Sequence, residues 1–197
     1  MRFLITGFGP FEGVPQNPTE GIARHFEAEP SYRGIEVDSK VFDVTMDAIK
    51  VLPSMLGNRY TAVVHFGVNT FVDCINLERV AINVDDFRLP DNKGAQPVDR
   101  PIRKDGHNAY FSMLPLREIL ARAEGAKIPV KISNTAGTYL CNHLMYESLY
   151  NVKKRRLRTL SGFIHVPPVD KVDAEKQLEV AKIVLDVLIE KGGKING

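Results

Sequence analysis

The stretch RFLITGFGPFEGVPQNPTEGIARHFEA, residues 2–28, sets a strand pattern beside a helix pattern, and the fold class follows from that pairing. RFLITGF is a short apolar run of strand length and composition. After a turn rich in Gly and Pro comes Asn17, then Pro18, then Glu20, matching N-cap, N1 and N3 of a helix start. Alternating apolar runs and capped helices point to an α/β layered domain. Further strand candidates are GIEVDSKVFDV (34–44), YTAVVHFGV (60–68), INLERVAINV (75–84), IPVKISNT (128–135) and LSGFIHV (160–166). A second helix is predicted from Thr45, with Ala48, Ile49, Leu52 and Met55 on one face and Pro53 as a candidate break. A third has Pro115 at N1, the stripe Leu116, Ile119, Leu120 and Ala123, and Gly125 as its stop. The last spans 173–193, packs through Leu178, Ala181, Val184, Leu185 and Leu188, and is ended by Gly192 and Gly193.

The chain has 197 residues, which fits one domain over 1–197 with a sizeable core, and no internal repeat or linker interrupts it. With 26 basic and 24 acidic residues its net charge is +2, so no general field favours nucleic acid or membrane. The one basic cluster, KKRRLR at 153–158, reads as the solvated end of a helix, where cations suit the dipole. The apolar run ahead of Gly7 is too short for a secretory leader, and no run approaches the roughly 18 apolar residues of a membrane span. Two cysteines, Cys74 and Cys141, make no disulfide framework, so a reduced, cytoplasmic setting with a reactive thiol is expected. One segment breaks the alternation: residues 85–106, polar and rich in Pro and Gly. Connections beyond about 12–15 residues are uncommon in compact domains, so it reads as a surface excursion or as the cover of a site.

The stretch SNTAGTYLCNHLMYESLY (133–150) passes from small polar residues into a helical pattern opening near Thr138 or Tyr139. Cys141 falls in the first turn, where unpaired N–H groups and the dipole favour an anion and could hold the oxygen of a tetrahedral intermediate. A nucleophilic Cys needs a base, and the base an orienting group. His165 ends an apolar run, and open α/β sheets carry their sites at strand carboxyl ends. His65 in VVHFG has nearly the same setting, so the residues alone leave both open. His25, His107 and His143 are weaker candidates; His143, two residues from the Cys, faces elsewhere on a helix. Glu78, inside an apolar run, wants a partner: either the imidazole or neighbouring Arg79. No two His, Cys or acidic residues show recognised metal-ligand spacing, and GFGPFEG has neither a P-loop lysine nor a dinucleotide fingerprint. The residues thus reach a soluble α/β protein with a Cys–His–acid hydrolase site.

The blocks TGFGPFEG with NP, ERVAIN, RLPDN with QPVD, SNTAGTYLCN and GFIHVP resemble, in order and spacing, the type I pyroglutamyl (pyrrolidone-carboxylate) peptidase family. The resemblance runs from residue 6 to about residue 168. It implies a three-layer α/β/α sandwich around an open, twisted, mostly parallel (mixed) sheet. It also implies a cytosolic cysteine peptidase without cofactor or metal, often a tetramer, that removes N-terminal pyroglutamate from peptides. By position, the resemblance assigns Cys141 as nucleophile, His165 (over His65) as base and acid, Glu78 as orienting group, and Arg88 as support for the oxyanion or thiolate. Phe8 and Phe11 match ring-binding positions, and two aromatic faces suit a flat, uncharged lactam. Asn17, Leu89, Tyr139 and Leu140 match further pocket positions, although the N-cap role alone accounts for Asn17.

The chain departs from the family pattern before Glu78. Phe71 and Val72 stand where Gly-Arg is usual, and Val68 where a polar residue is common, which implies an altered pocket mouth. Two other readings remain: a related thiol amidase acting on another cyclic or acyl amide, and a catalytically silent homologue that binds pyroglutamyl termini.

Overall fold

The structure is a computed structural model and describes residues 1–195. Its centre is a parallel quartet, β3 (Ile35–Phe42), β1 (Arg2–Phe8), β4 (Ala62–Val68) and β9 (Leu160–Val166), in that spatial order. Beyond β9 come β5 (Ile75–Glu78), antiparallel to it, and β8 (Val130–Ser133), parallel to β5. β2 (Ser31–Tyr32) closes the opposite edge, antiparallel to β3. A separate two-stranded ribbon pairs β6 (Val80–Ile82) with β7 (Ala109–Phe111).

Helices cover both faces, completing the α/β/α sandwich. Successive strand residues face opposite ways, so the central strands feed two cores. Phe3, Ile5, Val64, Phe66, Ile164 and Val166 pack with residues of α1 (Pro18–Ala28), α4 (Leu116–Gly125) and α6 (Ala174–Ile195). Leu4, Phe8, Val63 and Phe163 pack with α2 (Met46–Ile49), α3 (Leu52–Met55) and α5 (Leu140–Lys154). Every residue of β4 is buried, as expected for a strand covered on both sides. Each large apolar side chain so buried contributes about 1.5–3 kcal/mol. None of the described helices is long and apolar enough to cross a membrane.

Local expectations hold where the backbone decides them and shift where packing does. Asn17 caps α1, its Oδ1 accepting from Thr19 N–H at 3.1 Å, with Pro18 in the first turn. Pro53 sits at the start of α3, and the helix predicted from Thr45 is indeed two short ones. Pro115 is the N-cap of α4 rather than N1, and the left-handed residue beyond that helix is Lys127, not Gly125. INLERVAINV is not one strand: it breaks at Arg79, whose carbonyl accepts from Ser112 N–H, and supplies β5 to the main sheet and β6 to the ribbon. The glycines 192 and 193 do not end α6, which runs to Ile195. A β-carbon on Gly192 would lie 2.5 Å from Met1 Sδ, so the bare backbone there admits the N-terminal side chain. KKRRLR closes α5, with Lys153 and Lys154 in its last turn and Arg155 donating to the Pro53 and Leu56 carbonyls.

Candidate active site

His165 is the penultimate residue of β9, and the two neighbouring strands complete the setting. On one side Gly67 of β4 lies opposite His165; on the other, β5 runs antiparallel, placing Asn76 opposite His165 and Glu78 opposite Phe163. Glu78 is therefore the diagonal neighbour of His165 on the same face, within reach of a long side chain. Its Oε1 lies 2.8 Å from His165 Nδ1. Adjacent Arg79 points the other way and donates to Asn134 Oδ1 at 2.8 Å, which removes the alternative Glu78–Arg79 pair. Both Glu78 and His165 are buried.

The thiol enters from above this face. Tyr139 is the N-cap of α5, with no side-chain bond to the first turn, and Cys141 is the second helical residue. A β-carbon on Gly67 would lie 2.8 Å from Cys141 Sγ and 2.7 Å from the Phe163 ring, so the sulfur rests over bare backbone directly opposite His165. Burial works against a charged imidazole at His165. The Cys141 sulfur and the Glu78 carboxylate outweigh it, and the pKa is pushed up to about 10. His65, by contrast, meets only the Thr6 hydroxyl, at 2.7 Å from Nδ1, and burial pushes its pKa down to about 3.

Two cavities meet at Cys141. A narrow pocket is lined by Phe8, Phe11, Asn17, Val44, Val68, Tyr139, Leu140 and Cys141, with no ionisable acid or base beyond the thiol and the Tyr139 phenol. Burial and the nearby Asp91, Cys141 and Glu12 push that phenol up to about 12, so it stays neutral. An open cleft of about 380 Å³ lies on the other side and includes His165, Phe71, Arg88 and Leu89. All ten candidate residues therefore border this region except Glu78, which stands behind His165. Arg88 is not paired with an acid among the described residues; its guanidinium carbon lies 4.5 Å above the Phe71 ring. Cys74 is half-buried, hydrogen-bonds Asn76 Oδ1 and does not line either cavity. Residues 85–106 form no helix or strand, and Asp86, Arg88, Leu89, Pro90 and Asn92 from this segment line the cleft. It is a wall of the site.

The family model described as pyroglutamyl peptidase matches residues 1–192. The chain belongs to the pyroglutamyl peptidase family. A pyrrolidone-carboxylate peptidase from Thermosipho africanus is 39% identical over 191 residues, 96% of this chain and 92% of its own length. One from Streptococcus pyogenes is 42% identical over 171 residues, 85% of this chain and 78% of its own. Among solved structures, a variant pyrrolidone carboxyl peptidase from Pyrococcus furiosus superposes with a TM-score of 0.90 at 36% identity, covering 96% of this chain and 99% of that one. The fold is thus that of the pyrrolidone carboxyl peptidases.

Sequence reading missed the residues that hold the site in place. Asn142, fully buried beside Cys141, accepts from Ile82 N–H at 2.9 Å and donates to the Ile82 and Val84 carbonyls, pinning α5 to the ribbon. Gly67 and Asp91 were equally invisible. The signal for Asn142 was present in CNH, a polar residue between helical apolar positions; the other two depend on distant contacts.

Proposed function

We propose that the chain is a cysteine peptidase that releases N-terminal pyroglutamate from peptides, with Cys141 as nucleophile, His165 as base and acid, and Glu78 orienting the imidazole. The observation that carries this reading is the line Cys141, His165, Glu78 at the junction of an uncharged pocket and an open cleft. The Cys141 thiolate attacks the pyroglutamyl carbonyl carbon. The oxygen takes the negative charge, facing the uncapped N–H groups of the first turn of α5. Arg88 adds a positive charge to the same cleft. The C–N bond then breaks, His165 gives its proton to the departing amine, and a thioester remains on Cys141. Water, deprotonated by His165, attacks the thioester and frees pyroglutamate. Glu78, bonded to Nδ1, directs Nε2 to the sulfur and stabilises the imidazolium throughout.

The narrow pocket suits the ring. Phe8 and Phe11 offer aromatic faces, Tyr139 and Leu140 apolar walls, and the pocket's lack of a countercharge disfavours a free ammonium. Asn17 is already committed, donating to the Gly9 carbonyl at 2.9 Å and accepting from Thr19, so its part is to shape the pocket wall. The reading extends to one catalytic domain over 1–197 that works without cofactor or metal, in a cytoplasmic setting. It includes a homo-oligomeric, tetrameric assembly and no nucleic-acid or membrane partner.

The test is hydrolysis of a pyroglutamyl chromogenic amide beside the open-chain glutaminyl amide. Wild type should cleave the first and not the second, and Cys141→Ala should lose on the order of 10⁴-fold or more. Equal turnover of the two amides would refute the uncharged-pocket argument, and an active Cys141→Ala would refute the nucleophile.

A further inference from the structure

We propose that Phe71 and Arg88 form the subsite for the residue that follows pyroglutamate, and that this subsite favours an aromatic side chain. The inference rests on the peptidase reading above. Cys141, Phe11, Val68 and Tyr139 border both cavities, whereas His165 borders only the open cleft. The ring occupies the narrow pocket, and the amine that accepts a proton from His165 must leave on the cleft side. The first residue of the leaving peptide therefore lies between His165 and whatever lines the cleft next to it.

Phe71 is placed there by the backbone. Val68 pairs with Val166, the residue after His165, and Asn69 N–H donates to the Val166 carbonyl at 2.9 Å. Asn69 Oδ1 then accepts from Phe71 N–H at 3.0 Å, an Asx turn that fixes the aromatic residue at a set offset from the end of β9. Phe71 is 74% exposed, and one exposed apolar residue by itself means little. This one lines the catalytic cleft, carries the Arg88 guanidinium over its ring, and has half-exposed Leu89 as a fellow lining residue. Arg88 forms no ion pair with another described residue, and its guanidinium sits over the Phe71 ring as a cation–π contact.

A ring face beside a guanidinium plane is a platform for another ring. Glu12 and Asp86 also line the cleft, and their charge disfavours an acidic side chain there. Because the amine departs during acylation, the preference should appear in kcat/KM and disappear from the deacylation rate, which is common to all substrates.

The experiment compares pyroglutamyl-phenylalanine and pyroglutamyl-alanine amides with wild type, Phe71→Ala and Phe71→Tyr. Wild type should favour the phenylalanine substrate about five- to tenfold in kcat/KM. Phe71→Ala should bring that ratio near one, and Phe71→Tyr should restore it. A ratio near one in wild type, or one unchanged by Phe71→Ala, would overturn the subsite while leaving the peptidase reading intact. No turnover of either substrate by folded wild type would overturn the peptidase reading, and the subsite with it.

Discussion

His65 and His165 stand on neighbouring parallel strands, in runs that read almost alike, VVHFG and GFIHV. Both are buried and both face the same side of the sheet, yet their charge states diverge. His65 pairs across the ladder with Phe163, two residues deeper than His165, and finds only a hydroxyl; burial keeps it neutral. His165 reaches the strand end, where a carboxylate stands diagonally on one side and a thiol rests over bare glycine on the other. Burial opposes the cation at both positions, and only at His165 do neighbouring acids reverse the outcome. Two residues of depth along a strand separate a histidine that burial keeps neutral from one whose neighbours favour its cation.

The largest effects should follow that divide. In the proposed mechanism His165→Ala removes the proton carrier and should lower kcat/KM of pyroglutamyl amide hydrolysis by on the order of 10⁴-fold. His65→Gln should stay within about tenfold of wild type and show its cost in urea unfolding instead, about 1–3 kcal/mol from the disturbed Thr6 bond and packing. If His65→Gln proved as inactive as His165→Ala, the contrast between the two strands would collapse.

Glu78→Gln sharpens the same contrast at smaller cost. The amide keeps the shape but not the charge that holds the imidazolium, and kcat/KM should fall roughly 10²- to 10³-fold. The pH profile gives the sign. His165 has a folded pKa raised above its ordinary 6.5, so the stabilisation from its cation is complete below about 6.5 and is lost as pH rises through about 10. The basic limb of kcat/KM should therefore lie near pH 10 in wild type and move downward in Glu78→Gln. A limb that does not move would show that Glu78 does not act on the ionisation of His165.

What the sequence made legible was local. Asn17, Pro18 and Pro53 act through their own backbone geometry, and the structure uses them as expected. Cys141 could be placed in a first turn because apolar spacing after it marks the helix. The residues alone left Glu78 between the imidazole and Arg79, because the decisive fact is the reversal of β5 beside β9, a pairing between segments 87 residues apart. The break at Arg79 was hidden for the same reason: INLERVAINV is uniformly strand-like, and only tertiary pairing divides it between two sheets. At the other end, the two glycines predict a stop, but α6 continues through them, with Gly192 close against Met1.

Residues 85–106 carry the smallest expected effect. This wall of the cleft has a single antiparallel bridge, Asp85 with Arg100, in place of a ladder, and Asp91 adds a second anchor. Its carboxylate accepts from Met46 N–H at 2.8 Å, Lys93 N–H at 2.8 Å and Ala95 N–H at 2.9 Å, tying the segment to itself and to the start of α2. Burial tends to raise the pKa of Asp91, and the three backbone donors more than offset it, so the net shift is downward. A carboxylate with a depressed folded pKa contributes stability that is present above its unfolded value, near 3.9, and lost as pH falls through the folded one. Asp91→Asn retains acceptance on one oxygen only and should cost about 1–2 kcal/mol at pH 7, read as a lower urea midpoint. The gap from wild type should close as pH falls through the depressed folded pKa and the wild-type carboxyl is itself protonated. KM should rise a few-fold, since Arg88, Leu89, Pro90 and Asn92 hang on the same stitch. A stability gap that persisted undiminished in acid would mean that ionised Asp91 is not what holds this wall against the sheet.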